Sequence, residues 1–303
     1  MKKSLLLAIF FFVYQLNAQE QTVKWEKVAD NLNFPEGPAW NSSENYIAFS
    51  NCYADWLGKI QNAEADTFIA APTKPFKFKS TNGTTFDSEG NLFACDFGTG
   101  AIVKFTPDKK CYAVAEKYKD KKFNRPNDLA FSPDGELFFT DPKSNNPDSL
   151  DGAIYKINLE GKVVQLDSGL AFPNGIVFSS TGEELLVAES ALHRIMKYKF
   201  DKDGNLTEPE VFVKVPGGEP DGLAFDAERN LYAAHFGGQA VIVIAPDGKI
   251  ITKIKTPGKN PSNVEFGGKD MKELYITEDE TNAVYRTDMK IPGFKLFDKS
   301  KID

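Results

Sequence analysis

Arg125 to Pro142 reads RPNDLAFSPDGELFFTDP, and Glu219 to Phe236 reads EPDGLAFDAERNLYAAHF. The two stretches share one grammar. An X-Pro pair leads to an Asn or Asp, a short apolar run, a turn, and a second apolar run ending in Asp or His. Four more stretches fall into the same register: EGPAWNSSENYIAFSN from Glu36, NGTTFDSEGNLFACDF from Asn82, NGIVFSSTGEELLVAES from Asn174 and NVEFGGKDMKELYITED from Asn263. The anchors Glu36, Asn82, Asn127, Asn174, Asp221 and Asn263 are 46, 45, 47, 47 and 42 residues apart, a period that marks a repeat architecture.

Each copy reads as β-structure. Leu129–Phe131 is a short strand, Ser132-Pro133-Asp134-Gly135 supplies turn dihedrals, and Glu136–Thr140 returns. A third strand such as Ala153–Ile157 and a more variable fourth follow, and no segment after residue 20 sustains a helical period. Six copies of four strands predict an all-β fold, a six-bladed β-propeller with a central metal-binding channel, in which radial repetition leaves only short edges exposed. The expected organisation is one propeller domain over 19–303. Its ring would be closed either by residues 22–29 (TVKWEKVA) or by Phe294–Phe297.

Residues 1–18 stand apart. Two lysines precede an apolar run from Leu5 to Val13, and the small Ala18 follows before Gln19. This is the layout of a secretory signal peptide, too short for a spanning helix, so an exported, periplasmic or secreted protein without membrane insertion is expected. Three cysteines, Cys52, Cys95 and Cys111, are too few and wrongly spaced for structural zinc, and they allow one disulfide without selecting a pair. A net charge of −7 with no basic patch excludes a nucleic-acid partner and fits an acidic monomer acting on a small molecule.

The anchors carry the chemistry. If each opens the innermost strand of its blade, all six meet at one mouth of the channel, and every one bears a carboxylate or carboxamide. Asn-Gly and Asp-Gly also make turns, so a single copy would read as local turn chemistry. That reading leaves Glu36 unexplained, since Glu is a poor turn former. Oxygen groups converging in a narrow channel call for a positive charge among them, and oxygen ligands favour Ca²⁺, with Mg²⁺ or Mn²⁺ as substitutes; Zn²⁺ would ordinarily bring His or Cys. About fourteen residues after the anchors come Asn51, Asp96, Asp141, Glu189, His235 and Glu278, expected to return to the same mouth as a second ring. His193 reads as a packing or hydrogen-bonding residue. Phe34, Trp56 and Phe236 allow stacking on a sugar ring but read better as packing.

EGPAW at Glu36, NRPNDLAFSPDGELFFTDP from Asn124, FPNGIVFSSTGEELLVAES from Phe172 and EPDGLAFD from Glu219, in this order at propeller spacing, resemble the gluconolactonase/regucalcin family over nearly the whole chain. The resemblance implies a metal-dependent hydrolase that opens a sugar lactone at one divalent cation on the axis. It implies Glu36, Asn174 and Asp221 as metal ligands and Arg125 and Asn127 as the substrate-contacting pair, with Asn127 also reaching the metal. Asp221 is then the candidate proton acceptor for the attacking water. His235 is a candidate shuttle or orienting group, and Asp141 either a substrate contact or a support for Arg125 and Asn127. The change from Asn127 to Asp221 becomes a division of labour between equivalent positions, one neutral and one anionic. Two other readings keep the same ring: a phosphotriester hydrolase, and a calcium-stabilised binding propeller without catalysis.

Overall fold

A computed structural model describes residues 18–299, so the segment read as a signal peptide lies almost wholly outside the described residues. Six antiparallel sheets follow one another along the chain and form a six-bladed β-propeller. The innermost strands are Pro35–Asn41, Thr81–Phe86, Leu129–Phe131, Pro173–Phe178, Glu219–Phe225 and Pro261–Gly267, one to each blade. Each packs on the next, and the sixth packs on the first.

The second strands explain the composition of the repeat. Leu92–Asp96, Leu137–Asp141 and Glu184–Glu189 lie mid-sheet with a neighbouring blade on each face, so they are buried almost throughout and read as continuous apolar runs rather than alternating ones. Aromatic pairs stitch most blade interfaces. Tyr46 meets Phe86 edge-on at 5.6 Å between blades one and two, Phe93 meets Phe131 at 5.1 Å between two and three, and Phe138 meets Phe178 at 4.9 Å between three and four. Tyr232 and Phe266 do the same at 5.0 Å between five and six. Such pairs add roughly 0.5–1.5 kcal/mol beyond the area they bury.

The ring is closed by the N-terminal alternative. Glu26–Ala29 pairs antiparallel with Ala283–Asp288 as the outer strand of blade six, joining the first part of the described chain to the last. Gln19–Gln21 adds a parallel fifth strand to blade five beside Ile250–Lys255, which the repeat did not announce. Phe294–Phe297 forms no strand. It crosses the mouth opposite the anchors, where the Phe294 amide donates to the Phe225 carbonyl at 2.8 Å and Phe297 packs against Phe178. All three cysteines are buried free thiols. No described helix is long and apolar enough to cross a membrane.

Candidate active site

The anchors meet as the repeat requires. Glu36, Asn82, Asn127, Asn174 and Asp221 line one cavity of about 140 Å³ at the axial mouth. Asn263, the sixth, lies against it, its Nδ2 donating to Glu36 Oε2 at 3.3 Å. The glycine that follows four of the anchors answers the question of turn chemistry. A Cβ on Gly175 would stand 2.2 Å from the Asp221 carbonyl oxygen, one on Gly83 2.8 Å from the Asn127 carbonyl, and one on Gly37 2.3 Å from the Asn82 carbonyl. Gly83, Gly175 and Gly222 do not use the left-handed backbone region, so it is proximity of neighbouring inner strands that demands glycine there. The strand registers shift at the same place, between Thr81 and Thr84, Pro173 and Ile176, and Pro220 and Leu223, which turns the anchor side chain towards the axis. Hydroxyls lock the arrangement across blades: Ser50 Oγ donates to the Asn82 carbonyl (2.6 Å), Thr140 Oγ1 to that of Asn174 (2.8 Å) and Ser190 Oγ to that of Pro220 (2.6 Å).

The floor is starved of positive charge. Asp221 Oδ1 and Asn82 Oδ1 are buried without a hydrogen-bond partner. Burial, then the charges of Glu36, Asp279 and Asp128, hold the Asp221 carboxyl well above its ordinary range. Burial pushes Glu36 up to about 8, partly offset by the Gly37 amide that donates to its Oε2 at 2.9 Å. Orphaned oxygens beside mutually repelling carboxylates are the donor set a hard cation satisfies. Among the described residues no three His, Cys, Asp or Glu side chains are grouped to hold a metal ion, so a cation at this floor has to draw on the carboxamides of Asn127 and Asn174 as well as on Glu36 and Asp221.

Arg125 also lines the cavity. Among the described residues no carboxylate pairs with its guanidinium, which lies 5.5 Å from the Phe97 ring centre and is left with its donors facing the mouth.

The second ring returns to the anchor mouth as the hairpins require, but it stands beside the cavity rather than on its lining. Asp141 does not line the cavity. Its carboxylate accepts from the Asn124 amide (3.0 Å), the Asn124 Nδ2 (3.2 Å) and the Arg125 amide (2.8 Å), so it sets the loop that carries Arg125. Asp96 caps the Lys79 and Ser80 amides, Glu189 the Ala171 amide, Glu278 the Asn260 amide, and Asn51 the Asn33 amide. One role recurs: the side chain at this register takes up the backbone N–H of the segment entering its own blade. His235 stands at the same register, buried and outside the cavity lining, with Nε2 unpartnered and its basicity lowered by burial. The ring packs on Gly218 and Gly238, where a Cβ would clash with it. Asp141 thus supports the loop that carries Arg125, and neither it nor His235 stands on the cavity lining. His193 Nδ1 sits 2.7 Å from the Gly218 carbonyl, a hydrogen-bonding role as expected.

Several groups escaped the sequence reading. Phe34 and Phe236 line the cavity rather than the core, joined by Tyr53, Phe97 and Phe172, whereas Trp56 packs on Phe49. Asn145, from the long loop after the second strand of blade three, reaches the cavity and donates to Glu219 at 3.1 Å. Asp279 has both carboxylate oxygens buried and unpartnered, and burial with the charges of Glu36 and Glu278 pushes it up to about 10. Nothing in the repeat marks Asp279, which directly follows Glu278 and has no partner at the matching place in the opening stretches.

Residues 35–279 match the family model described as SMP-30/Gluconolactonase/LRE-like region, and the chain belongs to this family. It is 31% identical over 290 residues to a gluconolactonase of Zymomonas mobilis, covering 86% of this chain and 81% of that protein. It is 29% identical over 233 residues to the diisopropyl-fluorophosphatase of Loligo vulgaris, covering 71% and 74%. Among solved structures, a gluconolactonase of Xanthomonas campestris superposes with a TM-score of 0.78 at 25% identity, covering 89% of this chain and 90% of that one.

Proposed function

We propose that the protein is a lactone hydrolase acting on a sugar lactone, with a divalent cation held by Glu36, Asn127, Asn174 and Asp221. The observation that carries this reading is the axial floor itself: carboxylates and carboxamides from different blades on one small cavity, with Asp221 Oδ1 and Asn82 Oδ1 left without partners. Membership of the family, and 31% identity to a gluconolactonase across most of both chains, support the substrate class. Oxygen donors favour Ca²⁺, with Mg²⁺, Mn²⁺ or Zn²⁺ as alternatives. When bound, the cation supplies Lewis-acid polarisation of the lactone carbonyl.

The chain's own residues supply the rest. Asp221 takes the proton of the attacking water as the new C–O bond forms, and as the ring C–O bond breaks it passes that proton to the departing ring oxygen, releasing the hydroxy acid and restoring its own carboxylate. General-base help of this kind is worth about 10²–10⁴-fold. Arg125 and Asn127 hold the ring hydroxyls with their unpaired donors, and Asp141 keeps Arg125 at its post through the loop backbone. The signal-peptide layout of residues 1–18 supports action outside the cytoplasm.

A second reading, hydrolysis of a phosphotriester-like bond, is favoured by two observations: five aromatic residues on the cavity wall, and 29% identity to a diisopropyl-fluorophosphatase. The test is acid release at constant pH from a panel of sugar lactones and phosphotriesters, with chelator and with each metal restored. Metal-restored lactone turnover that Asp221→Asn lowers at least a hundredfold supports the proposal. Turnover of phosphotriesters alone moves the assignment to the second reading. Tight metal binding with no turnover of either class leaves a binding propeller.

A further inference from the structure

The wall of the cavity follows a register of its own. Two residues before the anchor, in the X-Pro pairs of four blades, stand Phe34, Arg125, Phe172 and Glu219, and all four line the cavity. The anchors form the floor, and the X of X-Pro forms the wall. Blades one and four face each other across a six-membered ring, so the two phenylalanines oppose one another, with Arg125 and Glu219 on the blades flanking Phe172.

The backbone singles out the same pair. Phe34 has φ +62° and Phe172 φ +56°, whereas Arg125 and Glu219, also before proline, are not left-handed. A residue before proline is pushed towards extended backbone, and a bulky side chain in the left-handed region is strained by about 1–3 kcal/mol. Because equivalent positions of the same repeat avoid this conformation, the fold does not impose it; it aims these two rings. Neither is a core residue. Both remain partly exposed, Phe34 edge-on to Tyr53 at 5.2 Å and 6.5 Å from Phe236. Half-exposed aromatics converging on a concave polar floor mark a surface for an apolar part of a ligand.

We infer that Phe34 and Phe172 form a two-sided aromatic clamp that selects a lactone carrying an apolar substituent alongside its hydroxyls, as in a 6-deoxy sugar lactone, with Arg125 and Glu219 taking the hydroxyl edge. The inference rests on the lactonase reading and narrows its substrate class. A hydroxymethyl group brought between two rings would surrender its water without a partner, whereas a methyl loses nothing. One such group in an apolar pocket discriminates by about 10–200-fold.

The experiment compares glucono-δ-lactone with its 6-deoxy counterpart, both followed as acid release with metal present. The expected result is a kcat/KM ratio of about ten or more for the deoxy lactone, carried mainly by KM. Phe34→Ala and Phe172→Ala should each pull the ratio towards one, and Phe172→Leu, which keeps an apolar side chain, should retain part of it. Tyr112→Ala, at an exposed position of the outer strand Cys111–Ala115 of blade two, should leave the ratio unchanged. Turnover of both lactones at equal efficiency, or a preference that survives both alanine variants, overturns the clamp and spares the lactonase assignment. Turnover of neither by the intact protein overturns both.

Discussion

Gly175→Ala tests whether the axial ring is built by close approach of inner strands. The added Cβ would stand 2.2 Å from the Asp221 carbonyl oxygen, and 3.0 Å from both the Asp221 carbonyl carbon and the Gly222 Cα. Every one of those atoms is backbone, so no side chain can swing aside. Restoring an ordinary contact of about 3.4 Å requires the inner strands of blades four and five to part by roughly 1 Å, in an interior packed as densely as a crystal. Overpacking of this kind costs about 1–3 kcal/mol, and the backbone character of the clash places it near the top of that range. For a chain of this size the loss is a melting temperature lower by about 6–12 °C. The same parting separates Asn174 from Asp221, so metal affinity should fall with stability. Gly161→Ala is the comparison: φ is +72° and nothing lies within 4 Å of the new Cβ, so only backbone strain of about 1 kcal/mol applies. Differential scanning fluorimetry with chelator and with Ca²⁺ reads both effects. If Gly175→Ala melts no lower than Gly161→Ala and keeps its shift on metal addition, the glycines serve local turns and the account of the ring is wrong.

Burial raises the carboxyls of Asp141 to about 6, Asp128 to about 7 and Glu36 and Glu265 to about 8. The folded state therefore holds these protons more tightly than the unfolded chain, and their contribution is complete below about pH 4 and lost as pH rises through about 6 to 8; chelated protein should melt progressively lower between about pH 5 and 8, and a melting temperature that rises over this window sinks the argument. Bound cation should flatten the same profile by taking the place of the protons. Asp279, pushed up to about 10, must take up a proton on folding near pH 8, and Asp279→Asn keeps the shape of the side chain without that cost, so near pH 8 the variant should melt a few degrees higher; a lower melting temperature would mean that a positive partner holds Asp279 as a carboxylate. Asp141→Ala strips the acceptor from the Asn124 and Arg125 amides, and steady-state kinetics should show KM raised about tenfold with kcat changed far less, Asn at this position restoring part of the loss; an unaltered KM would remove Asp141 from the positioning of Arg125.

Repetition made the fold legible. Six copies in register place every anchor at an equivalent point, so the meeting of Glu36, Asn82, Asn127, Asn174 and Asp221 follows from counting residues. What the count cannot convey is backbone demand. The hairpin does bring Asp96, Asp141, Glu189 and Glu278 back to the anchor end, but the strands entering each blade arrive there with unpaired amides, and those amides claim the carboxylates first. A string of letters lists side chains and is silent about which N–H groups lack partners, so acids read as a second ring for the ligand are caps. The same silence hid the glycines' purpose, because Asn-Gly is written identically whether it makes a turn or lets two strands touch.

The wall residues were visible throughout as FP, RP, FP and EP, and their meaning lies in comparison between copies. Where a repeat fixes the backbone, a difference at one register cannot be explained by local structure, since the other copies show that local structure does without it. Asn127 and Asp221 occupy the same corner of two blades, and so do Arg125 and Glu219. Glycine recurs after the anchor where strands must touch, and hydroxyls recur where blades must be tied. At the anchor and two residues before it the letters change from blade to blade, and those are the positions that face the cavity. In a propeller, positions that repeat build the ring, and positions that differ at the axial mouth carry the chemistry.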